Sequence, residues 1–81
     1  MRLKIGKLTT LDELPSGSLF LSKDRTCLAL KSEYRTDTGA IEAFIVGSGE
    51  MFWGGTSKGF DQRQLEVWKV KAVDKKVKVL Q

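Results

Sequence analysis

The sequence predicts a mainly β fold, a small antiparallel β-barrel or sandwich (SH3-like or OB-like) of six to seven short strands, with one short helical turn near residues 10–14. Three observations carry that reading. Short runs alternate apolar and polar residues with a period of two. Clusters of Gly, Ser, Asp and Thr punctuate them at close intervals. No apolar pattern long enough for a substantial helix occurs anywhere in the 81 residues. A chain of this length has room for one domain, spanning 1–81, and needs most of its large apolar residues for folding.

The segment Leu8–Lys31 is the expected seed of the core. Arg2-Leu3-Lys4-Ile5 reads as a half-buried strand before a bend at Gly6. Thr10-Leu11-Asp12-Glu13 fits a capping box, with the Thr10 hydroxyl and Glu13 satisfying first-turn amides. Pro15 ends any helix at once. Leu11 and Leu14, three apart, are placed to enter the core together. Pro15-Ser16-Gly17-Ser18 reads as a tight turn with Pro15 at the first central position. Ser18–Ser22 and Thr26–Tyr34 follow as a hairpin, the second strand apolar on both faces at Cys27-Leu28-Ala29-Leu30.

Beyond a turn at Arg35–Gly39, a fourth strand spans Ala40–Val46, and Gly47-Ser48-Gly49-Glu50 links it to a short strand at Met51–Trp53. Gly54–Gly59 reads as a flexible connection. Phe60–Leu65 is consistent with one helical turn capped by Asp61, or with loop. Leu65–Val73 alternates, Asp74-Lys75 forms a two-residue turn, and Lys76–Leu80 closes the chain as a strand.

Composition excludes more function than it suggests. With no histidine, the commonest general base, the Ser–His and Cys–His pairs and the commonest transition-metal ligand are all missing. The expectation is a non-enzyme with no catalytic residue, metal or cofactor. Cys27 is the single cysteine and reads as a buried strand thiol without a disulfide. The glycine-rich stretch 47–55 lacks the Gly-Lys-Ser/Thr ending of a Walker A loop, and its glycines read as turn residues. Asp12 and Glu13 suit a helix start, and the other acids lack metal-ligand spacing. No segment is apolar enough to span a bilayer, and the N-terminus lacks the apolar core of a secretory signal. The expected location is therefore cytoplasmic.

Two sets of residues remain as candidate contacts. Phe52 and Trp53 are adjacent on a strand and must face opposite ways, leaving one ring for the core and one for a cover or a partner. Trp68 poses the same question. These three are the candidates for binding a protein partner or stacking a base. The second set is basic: Arg2, Lys4, Lys69, Lys71, Lys76 and Lys78, on the terminal strands. The net charge is +4, yet residues 12–68 hold more acids than bases, so the excess sits at the two ends. The leading expectation is a protein-binding or adaptor module. The alternative is a nucleic-acid-binding barrel using the lysines, although Lys lacks the bidentate reach of Arg. Homo-oligomers through a strand edge are a third reading.

Overall fold

The computed structural model describes residues 3–72. Five antiparallel strands, β1 (Leu3–Thr10), β2 (Leu19–Ser22), β3 (Leu28–Arg35), β4 (Ile41–Ile45) and β5 (Glu66–Ala72), form one sheet, and a five-residue helix, α1 (Gly59–Arg63), precedes β5. The sheet order is β1-β5-β2-β3-β4, so β1 and β4 are its two edges. The strand expected at Met51–Trp53 is reduced to a single bridge between Phe44 and Met51, because residues 52 and 53 leave the ladder. The turn at Asp74-Lys75 and the strand at Lys76–Leu80 lie outside the described residues.

Strand β1 does not stop at Gly6. It runs on to Thr10 and accommodates Gly6 and Lys7 as a bulge, since the register with β5 shifts between Ile5 and Leu8. At Thr10 the expected cap forms: the Glu13 amide donates to Thr10 Oγ1 at 3.2 Å, and the Thr10 hydroxyl donates to Glu13 Oε1 at 3.1 Å. Leu14 N then donates to Thr10 O at 3.1 Å, closing one turn. Leu11 and Leu14 are buried in the core. The following tight turn starts one residue later than expected. Ser18 N donates to Pro15 O, which makes Pro15 the first residue of the turn and puts Gly17, at φ 85°, in the third position.

Alternation sorts the strands into two faces. The register places Phe20 of β2, Ala29 of β3, Ala43 of β4 and Val67 of β5 on one side. These join Leu11, Leu14, Ile41 and Phe52 in the core. The rings of Phe20 and Phe52 meet edge to face with centroids 5.1 Å apart. We refer to this as the inner face. The 11–14 turn, the 52–54 segment and α1 bring its cover.

Two polar side chains hold that cover down. Lys31 sits on the inner face, only 6% exposed. Its ammonium donates to Leu11 O at 2.8 Å, to Asp12 O at 3.1 Å and to Leu14 O. It thereby satisfies the carbonyls that so short a turn cannot pair internally. Gln62 of α1 is fully buried. Its Oε1 accepts from Ile41 N at 2.7 Å, and its Nε2 donates to Ile41 O and Phe52 O, both at 2.8 Å. The side-chain amide thus pairs the β4 edge as another strand would. Gly59 lets α1 come this close: a Cβ there would lie 2.6 Å from both Ala40 N and Thr38 O. The helix begins after Lys58, with Asp61 inside its first turn and not at its cap.

Burial pushes the Lys31 ammonium below the ordinary lysine range, against a smaller opposing pull from Asp12. The native chain therefore gives up this proton at lower pH than the unfolded chain. In the window between the depressed value and the ordinary lysine value, the unfolded state binds more protons and stability rises with pH. Lys31→Met removes the titration and orphans the turn carbonyls, at an expected cost of about 1–3 kcal/mol in urea unfolding. The gap between wild type and Lys31→Met should widen as pH climbs through that window. Gly59→Ala should also destabilise the fold, by about 1–3 kcal/mol, as read by the urea midpoint.

Candidate functional site

The pairing of β1 with β5 brings part of the basic set together. Lys4 lies directly opposite Lys71, and Lys69 follows on the same side of β5. All three are exposed and occupy the inner side of the sheet, on the stretch beyond the core. Arg2, Lys76 and Lys78 lie outside the described residues. Like charges placed directly across a ladder are mildly destabilising, so this row has no local structural benefit.

The three aromatic candidates have separate fates. Phe52 is 3% exposed and packs in the core. Trp53 is half-buried and lines a cleft of about 660 Å³ between the β2–β3 connection and the 53–55 loop. The apolar part of the cleft is made by Cys27, Ile45, Phe52 and Leu65; its rim carries Asp24 and the ion pair of Lys23 Nζ with Glu66 Oε1 at 2.7 Å. The Ser22 hydroxyl, 2.6 Å away, and the Thr26 hydroxyl and amide all donate to Asp24 and hold its carboxyl below the usual range. Cys27 is half-buried against the core. Trp68 is engaged within the chain: its indole N–H donates to Lys23 O at 3.0 Å, and the Arg25 guanidinium lies 4.8 Å from the ring centroid. Arg25 holds a positive φ of 65° in making that turn.

Glycines 47, 49, 54 and 55 all adopt positive φ, in keeping with their reading as turn residues. Among the described residues, no group of three or more Cys, Asp or Glu is placed to hold a metal, and no helix is long and apolar enough to cross a membrane.

A further surface feature takes in Trp68 but no other residue of the two candidate sets. Opposite the core, the second face of the sheet is apolar from edge to edge. On β1 it carries Leu3, Ile5 and Leu8, which pair with Ala72, Val70 and Trp68 of β5. On β2 it carries Leu19 and Leu21, which face Val70 and Trp68 on one side and Leu30 and Leu28 of β3 on the other. Phe44 of β4, opposite Leu30, completes it, and Val46 continues the row. We call this the outer face. Leu30 and Phe44 are 42% and 41% exposed, and Leu3, Ile5, Leu8 and Val46 are exposed as well. Val70, between Ile5 and Leu19, is 4% exposed, although it is not part of the core cluster. The sequence carried a signal for this face: Leu19-Phe20-Leu21 and Leu28-Ala29-Leu30 are apolar at consecutive positions, which one buried face does not require.

Comparison of the chain with protein-family models, curated proteins and solved structures returned no match. The surfaces themselves carry the argument.

The different positions of the two adjacent rings give a direct check. Phe52→Ala should cost about 3–5 kcal/mol, a large share of the stability of a small domain. Trp53→Ala should leave a folded protein with a much smaller change in urea midpoint.

Proposed function

We propose that this domain is a non-catalytic interaction module that works by contact with another protein chain. The observation that carries this reading is the outer face of the sheet. Contiguous exposed apolar patches of more than a few hundred Å² are uncommon on monomers and mark interaction surfaces. Scattered exposed leucines would need no explanation, but a face apolar across all five strands does. Trp53 and its cleft form a second, smaller contact feature, suited to receiving an apolar side chain beside the Lys23–Glu66 rim.

Leu30→Lys should leave the far-ultraviolet spectrum unchanged, because position 30 is already part-exposed, and should weaken binding of the apolar dye ANS to the monomer at high dilution. Dye binding that persists unchanged would count against an open apolar face.

A second reading rests on the row of Lys4, Lys69 and Lys71 on the inner side. Three cations on one stretch of sheet, with no ion-pair partner among the described residues, suit a polyanion, and their repulsion would be relieved on binding. The row is short and consists of Lys, which binds phosphate as a point charge. A mobility-shift titration with single- and double-stranded DNA and RNA should show retention at low salt that falls steeply as salt rises. No retention at low salt removes this reading.

A further inference from the structure

We infer that the outer face of the sheet is the contact between two copies of this chain, an inference that rests on reading that face as a protein-binding surface. Its extent, its charge pattern and the state of the strand edges point to that occupant.

Extent comes first. Five strands at a spacing of about 4.8 Å, each several residues long at about 3.3 Å per residue, give on the order of 450 Å² of flat area. Side-chain relief adds to this, so two copies stacked face to face would bury on the order of 1,000 Å² in total, the lower bound for a specific interface. Two such faces pack at about 10 Å, with strands within about 30° of each other, as in a sandwich. The contact is isologous, each copy presenting the same patch to the other, and it closes on itself at two.

Charge argues against other occupants. Lys4, Lys31, Lys69 and Lys71 all fall on the inner face by the strand register. The acids that share the outer side of the strands are Glu42 and Glu66, and Glu66 is paired with Lys23. The cations at the Trp68 end, Arg25 over its ring and Lys23 on Glu66, are already engaged within the chain, so an acidic partner gains little from the face and a basic one finds very little acid. The partner must itself be apolar, and a second outer face is. Stacking through this face also places the two lysine rows on the far sides of the pair. They are then separated by more than the Debye length of about 8 Å at physiological salt, so the two rows do not oppose association.

The strand edges offer a poorer route to the same end. At β4, Ile45 N donates to Glu50 O at 2.8 Å, Ala43 O accepts from Phe52 N at 2.8 Å, and Gln62 takes both groups of Ile41. The chain has closed this edge with its own backbone and one amide. At β1 the edge is broken by the Gly6-Lys7 bulge, a device that discourages strand addition. Association through an edge, one of the expectations from sequence, is thus disfavoured, and the face remains.

Sedimentation equilibrium of the full chain across the micromolar range tests the inference, together with Leu30→Glu and Phe44→Lys. The 9.1 kDa chain should sediment at about twice that mass, and both substitutions should return folded monomers. Phe60→Glu, on the most exposed face of α1 and 64% exposed, should leave the pair intact. A dimer that survives both Leu30→Glu and Phe44→Lys uses another surface and overturns the inference. A full chain that stays monomeric overturns it too, and the remaining arms say how much else falls. If ANS still binds the monomer and Leu30→Glu removes the binding, the face is open to a different protein and the broader reading survives. If the monomeric full chain binds no dye, the face is covered within the chain and both readings fall.

Discussion

Two buried polar side chains decide which face of this sheet becomes the core. Lys31 draws the 11–14 turn onto the inner face by donating to three of its carbonyls, and Gln62 ties α1 and the Phe52 segment to the edge of β4. Both take up backbone groups that no ladder or helix in so small a domain can reach. An unpaired buried carbonyl or amide costs more than a typical hydrogen bond returns, so these contacts are needed for closure as much as for stability. Once the turn and the helix lie on one side, the chain has no further element among the described residues to lay over the other. The open apolar face follows from how the core is closed.

Much of the local structure was legible from sequence because its causes are local. Thr10 and Glu13 are three apart and form their cap as the spacing requires; Leu11 and Leu14 enter the core from the same turn. The β2–β3 hairpin and the turns around Gly17 and Gly39 have their signals within a few residues. The pairing of β1 with β5 was not legible, since alternation at Leu3–Ile5 says nothing of a partner more than sixty residues away. Nothing in the sequence marks Lys31 for burial, because a lysine in an alternating tract ordinarily faces water. Its burial depends on the carbonyls of a turn that the register alone brings beneath it. Gln62 carried no signal beyond a place in an ambiguous six-residue stretch. Periodicity could state that Phe52 and Trp53 face opposite ways, but only the bridge at Met51 fixes which one goes inside.

The distribution of surface chemistry divides the molecule into two sides with different prospects. The inner side holds the core, the lysine row beyond it, and the cleft beside Trp53. The outer side is apolar, with Arg25 and Lys23 folded against Trp68 at one end. The aromatic residues that drew attention in the sequence are largely consumed by the fold: Phe52 by the core and Trp68 by the Lys23 carbonyl and Arg25. The outer face is made instead largely by aliphatic residues on neighbouring strands, each unremarkable in isolation. Their significance lies in register, which sets them in one continuous surface and sends the lysines to the opposite face.

The measurement that tests this account most directly is a dilution series followed by methyl resonances in solution NMR. Outer-face methyls at Leu3, Ile5, Leu30 and Val46 should shift or broaden as concentration rises, while those of Leu11, Leu14 and Val67 in the core stay fixed. Methyl signals independent of concentration on both faces, or changes confined to core residues, would contradict it.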